Sequence, residues 1–103
     1  MNTASNPSRP KFPLGQIVAT PGASDALTQA CQTPHEFLAR HVSGDWGDVC
    51  PDDWKLNDEA LIDGSRLLSS YVLRSGVRIW CITEAADDNG QRAATTLLLP
   101  EEY

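Results

Sequence analysis

Arg40, His41, Asp45, Trp46 and Asp48 fall within nine residues, and they are the types from which a small site is built. Arg40 supplies a fixed cation, His41 a proton shuttle, Asp45 and Asp48 carboxylates, and Trp46 a flat face on which a base or sugar stacks. The same residues also fit ordinary helix-end chemistry. Arg40 and His41 stand where the negative end of a helix favours cations, Gly44 and Gly47 permit a turn, Trp46 plugs a core, and the aspartates cap or solvate a loop. Each residue is thus explained locally without a ligand. The candidate binding set Arg40, Asp45, Trp46 and Asp48 therefore turns on whether the Trp46 ring is displayed or buried.

Other reactive types are sparser. His35 and His41 lie about 120° apart around a helix, and no third ligand stands at a recognisable spacing, so the pattern points to no metal and no cofactor. Cys31, Cys50 and Cys81 are odd in number and contain no C-x-x-C pair, which suggests reduced thiols rather than a disulfide framework. Cys31 and Cys81 fall on apolar faces, whereas Cys50 precedes Pro51 at a helix start, where a thiolate is stabilised.

The elements that must position these residues follow from composition and period. A chain of 103 residues with 41% hydrophobic content supports one domain with a single core. Eight basic against fourteen acidic residues give a formal charge of −6, which disfavours a general phosphate-binding surface and suits a basic protein partner. With no apolar run near twenty residues and no cleavable apolar leader, the expected location is the cytoplasm, with no membrane partner. Residues 1–11, polar and carrying Pro7 and Pro10, are expected to form a flexible tail, and 12–103 the domain.

From Phe12 to Ala19, Leu14, Ile17 and Val18 make a short strand interrupted by Gly15, a mark of a bend or a close backbone approach. Thr20-Pro21 opens a helix expected to reach about Cys31, burying Ala23, Ala26, Leu27, Ala30 and Cys31. Thr33-Pro34-His35-Glu36 reads as a capping box opening a second helix, on which Phe37, Leu38, His41 and Val42 share a face and His41 is half-buried. Gly44 stops it. A third helix runs from Pro51 to about Asp63, with Trp54, Leu61 and Ile62 as its buried stripe. The period then changes: 66–73 and 77–84 read as an antiparallel hairpin about Arg74-Ser75-Gly76, the second run being central, and 93–99 as a further strand after the Asp87-Asp88-Asn89-Gly90 turn. The expected fold is α+β, about three short N-terminal helices packed on a three- to four-stranded antiparallel meander.

Several blocks carry a resemblance: Phe12 to Ala23, the Arg40 to Asp48 junction, Trp80 to Glu84, and Thr95 to Tyr103. They resemble a family of small uncharacterised proteins of plasmids and other mobile elements, some labelled plasmid-related or restriction-subunit-like. The likeness spans nearly all of the chain after the tail, although the loop from Ala86 to Gln91 is longer than the family's pattern. No methyltransferase or nuclease motif accompanies the restriction label here. What the resemblance implies is an accessory role on a mobile element.

Two functions follow as expectations. The leading one is a non-enzymatic module, with anti-defence activity as one form, that binds a protein partner. The alternative is loosely similar in topology to the RelE/barnase-like ribonuclease toxins, which use the 2′-hydroxyl of their substrate and need a base, an acid and a cation but no metal. Under that alternative His41, Arg78, Glu84 and Thr95 converge on one face and RNA is the partner. Net acidity argues against it.

Overall fold

The computed structural model of the protein describes residues 10–103. In chain order it contains β1 (Gln16–Ala19), α1 (Pro21–Gln29), α2 (Pro34–Val42), α3 (Pro51–Asp63), β2 (Leu67–Val72), β3 (Arg78–Thr83) and β4 (Ala94–Leu98), then a 3-10 turn at Pro100–Glu102. The expected tail lies outside the described residues except for Pro10 and Lys11, and the Lys11 amide donates to Val42 O at 2.8 Å.

The strands form one sheet in the order β1-β4-β3-β2. β2, β3 and β4 pair antiparallel in sequence, with Ser69 opposite Cys81 and Thr83 opposite Thr95. β1 departs from the expected meander: it lies parallel to β4, Ile17 opposite Thr95 and Ala19 opposite Leu97. The sheet is therefore mixed, and its first strand precedes the helices rather than following them. Alternation marks a strand but is silent on direction, and a parallel neighbour becomes possible once a long connection separates two strands. Gly15 is the close approach that lets β1 enter. Its φ is +67°, and a Cβ there would stand 2.3 Å from the Arg92 carbonyl oxygen.

Each helix starts with proline at its first turn, as the sequence indicates. For α1 the Thr20 hydroxyl accepts from the Ala23 amide at 3.1 Å. That helix ends before Cys31, which takes φ +57° and is exposed rather than lying on the apolar face. The capping box of α2 does not form, because the Thr33 side chain makes no cap bond. Glu36 instead accepts from Gln32 Nε2 at 2.9 Å, while Gln32 Oε1 takes the Arg74 amide and so ties the helix start to the β2–β3 turn.

α3 is also rotated from expectation. Asn57 and Ala60 are its buried residues; of the expected stripe Leu61 is partly buried against the core, whereas Trp54 is 37% and Ile62 90% exposed. The cause is polar: Asn57 Nδ2 donates to Leu68 O at 2.7 Å and its Oδ1 accepts from the Leu68 amide at 3.1 Å, filling the outer edge of β2. Edge amides left without partners are costly, so their satisfaction sets the helix's rotation ahead of its apolar stripe.

All three helices pack on one sheet face. Ala23, Leu27, Ala30, Phe37 and Leu38 meet Tyr71, Ile79, Cys81 and Leu97 in one cluster, and Phe12, Trp46, Ala60 and Leu67 form a second. By strand alternation Leu68, Ser70, Val72, Arg78, Trp80, Ile82, Thr96 and Leu98 point to the opposite face.

Candidate functional site

His41 occupies the last turn of α2, one helical turn beyond Phe37, and the packing of that face carries its imidazole between helix and sheet. It is 0% exposed, more deeply placed than the half-buried position expected. Phe12 and Trp46 flank the ring edge to face at centroid distances of 5.2 and 5.6 Å. Nδ1 lies 2.5 Å from Ser69 Oγ, and Nε2 lies 2.9 Å from Thr83 Oγ1. The line continues from Thr83 to Thr95 at 2.7 Å and ends where the Thr95 hydroxyl donates to Leu14 O at 2.7 Å. Burial, aided by the charge of Arg92, pushes the His41 pKa down to about 3. The imidazole is thus neutral at pH 7, shielded from solvent and a weak base.

The loop after α2 is closed by ion pairs. Arg40 Nε donates to Asp45 Oδ2 at 2.7 Å, its guanidinium lies 4.5 Å from the Tyr71 ring centre, and Asp45 Oδ1 accepts the Gly47 amide. The hydrogen bond between them raises the Arg40 pKa, and the same bond lowers that of Asp45. Trp46 is 0% exposed and donates Nε1–H to Asp58 at 3.0 Å. It fills the core and presents no face for stacking. Around it the backbone acts as a short extra strand on β2: Ser70 N donates to Trp46 O and Asp48 N donates to Ser70 O. Gly47 is required there, since a Cβ would stand 2.2 Å from the Ser70 oxygen. Asp48 pairs with Arg78 at 2.9 Å, and Arg78 also donates to Ser70 Oγ at 2.7 Å.

The four residues of the ribonuclease expectation are not brought together. His41 and Thr95 are linked through Thr83 beneath the helices, whereas Arg78 and Glu84 share the parity of Trp80 and Ile82 on the opposite face. Six residues of extended chain also separate Arg78 from Glu84, about 20 Å along the strand.

Of the thiols, Cys31 and Cys50 are exposed, and Cys81 is buried with its pKa pushed up by burial. Among the described residues no three His, Cys, Asp or Glu side chains are grouped to hold a metal ion.

The residue least visible in the sequence is Arg92. Although it follows a polar turn, it is buried and donates to Ser65 O, Glu84 O and Ala60 O at 2.8, 3.0 and 3.2 Å, over the Phe12 ring. Three carbonyls accept from the guanidinium and no carboxylate bonds it directly; burial lowers its pKa, and the charge of Asp63 partly offsets that.

The remaining surface feature is the helix-free sheet face. Tyr103 packs edge-on against Trp80 at 5.7 Å, and Arg66 Nη1 donates to the Tyr103 hydroxyl at 2.7 Å. Tyr103 and Val72 remain 67% and 48% exposed. Beside them Asp53, Leu56, Asn57, Arg66 and Leu68 line a groove of about 220 Å³. The only signals for this surface in the sequence were the apolar residues on both parities of β3.

Together these relations define the class: among the described residues, an α+β domain of three helices on one side of a mixed four-stranded sheet, with a sealed polar core and a second face free of helices, on which the C-terminal turn and Tyr103 pack and Ile82 and Leu98 are buried. Comparison with protein-family models, with curated proteins and with solved structures returned no match. No helix among the described residues is long and apolar enough to cross a membrane.

Proposed function

We propose that this protein is a non-enzymatic interaction module, an accessory factor of a mobile element that binds a protein of the host or of the element, with anti-defence action as one outcome. The observation that carries this reading is the helix-free sheet face, where Trp80 and Tyr103 stand beside Arg66 and the groove against α3, and Val72 is exposed at the far end of β2. Aromatic and arginine side chains at the centre of an apolar patch are the usual anchors of protein interfaces. The inward use of His41 and Trp46 supports the same reading, because the groups best suited to chemistry are spent on the core.

The test is affinity capture from the host with the tagged full chain, compared with Tyr103→Ala and Val72→Asp, using Ile62→Asp as a control outside the sheet. A partner held by the wild type and the control but lost from both face variants is the expected result. Equal capture by all four proteins would remove the face from the proposal. Incubation with total RNA separates the alternative: RNA should remain intact, and cleavage abolished by His41→Ala would overturn the non-enzymatic reading.

A further inference from the structure

The two edges of the sheet are treated differently. On β2, Asn57 takes both backbone groups of Leu68, and the Trp46–Asp48 backbone takes both groups of Ser70. β1 has β4 as its only sheet neighbour among the described residues. Gln16 N and Thr20 N donate to Ala93 O and Leu97 O, so the even-numbered residues of β1 face β4. The N–H and C=O groups of Ile17 and Ala19 therefore point outward. Although β1 is short, two of the usual protections of an edge are missing: Gly15-Gln16-Ile17-Val18-Ala19-Thr20 contains no charge and no proline. Ile17 is 51% and Val18 40% exposed.

We infer that β1 is a self-association edge, pairing antiparallel with β1 of a second copy about a two-fold axis at Val18. That register sets Ile17 opposite Ala19 of the other copy, and the reverse, so each hydrogen-bonded pair exchanges two bonds. All four outward groups of each strand are then satisfied. A two-fold axis at Ile17 would use Gly15 in the outer pair, and its φ of +67° does not fit an extended ladder.

The choice of a second copy rests on this self-complementary register. Two copies at −6 each repel, and the uncharged Gly15–Thr20 segment is where that repulsion opposes their approach least. Glu102, beside the end of β1, is already engaged by the Thr20 hydroxyl at 2.5 Å and the Gly22 amide at 3.2 Å. The product is an eight-stranded sheet whose helix-free faces run on from one copy to the other. This inference does not rest on the proposed partner, since it concerns a different part of the molecule.

Sedimentation equilibrium on the full chain should show a monomer–dimer equilibrium, and Ile17→Lys, at an exposed position, should weaken it by at least about tenfold through like charges across the edge. Disulfide trapping in a Cys31→Ser, Cys50→Ser background reads the register. Val18→Cys should cross-link readily, since the facing Cα atoms lie about 4.5 Å apart in a non-hydrogen-bonded pair. Ile17→Cys should not, its counterpart being displaced diagonally by about 7–8 Å. A monomer up to about 1 mM, or a dimer untouched by Ile17→Lys, would overturn the inference. Faster cross-linking of Ile17→Cys than of Val18→Cys would do the same, as would occupation of the edge by residues 1–9 or a foreign strand, either of which leaves both cysteines unlinked.

Discussion

His41 Nε2 donates its proton to Thr83 Oγ1 across 2.9 Å, and the direction of that bond is set three groups away. The Leu14 carbonyl can only accept, so Thr95 donates to it, Thr83 donates to Thr95, and the free lone pair of Thr83 faces the imidazole. Nε2 must then carry the hydrogen, and Nδ1 accepts from Ser69. One carbonyl two residues ahead of β1 thereby fixes the tautomer of a histidine at the end of α2. A proton added to Nδ1 would remove the acceptor that Ser69 uses, which acts in the same direction as burial.

The first prediction is a pH dependence of stability. The folded pKa of His41 is about 3 against 6.5 for the free side chain, so between those values the unfolded chain binds a proton that the folded chain does not. Stability is full above pH 6.5 and falls as the pH drops towards 3, with a slope on the order of 1 kcal/mol per pH unit. Asp45, Asp63 and Glu102 have lowered pKa values, chiefly through hydrogen bonds from Arg40, Ser65 and Thr20. Their stabilising contributions are lost only as the pH falls below their ordinary values of 3.8, 3.8 and 4.5. Urea denaturation between pH 5 and 6.5 therefore isolates His41, and the slope in that window should vanish in His41→Gln.

Truncation of the same residue should be costly. His41→Ala removes a fully buried ring from between Phe12 and Trp46 and leaves the Ser69 and Thr83 hydroxyls short of a partner. The cavity and the orphaned groups together predict a loss of about 2–4 kcal/mol. Chemical denaturation reads the loss directly, and a change under about 0.5 kcal/mol would contradict the packing described.

Gly47 and Gly90 make a controlled comparison, since both take the left-handed conformation at φ +75° and +77°. An alanine at Gly90 meets nothing within 4 Å, and Gly90→Ala should cost only the backbone strain, about 1–2 kcal/mol. Gly47→Ala drives a methyl against the Ser70 carbonyl and the Tyr71 ring. It should cost well over 3 kcal/mol, because strain, clash and the lost edge bonds of β2 combine. Equal melting temperatures for the two variants would show that the loop yields without penalty.

Much of the local architecture could be read from the chain. Pro21, Pro34 and Pro51 mark three helix starts, Gly64 ends the third, and the apolar residues on both faces of Arg78–Thr83 identify an interior strand. These are properties of a few consecutive residues acting on their own backbone, so neighbours in sequence suffice. The junction was legible in the same way as helix-end chemistry, and Arg40 and Asp45 do close that loop.

The amino-acid sequence by itself determined which segments are helical or extended and which residues carry unusual chemistry. Only the tertiary structure decided what those residues face. The rotation of α3 follows from Asn57 meeting Leu68, the parallel placement of β1 from the edge left free on β4, and the sealing of His41 from Ser69 and Thr83. Each depends on a polar group finding a partner distant in the chain. Hydrophobic periodicity records which side of an element is buried on average, but a buried polar group must meet one particular partner, and that partner is set by the packing of whole elements.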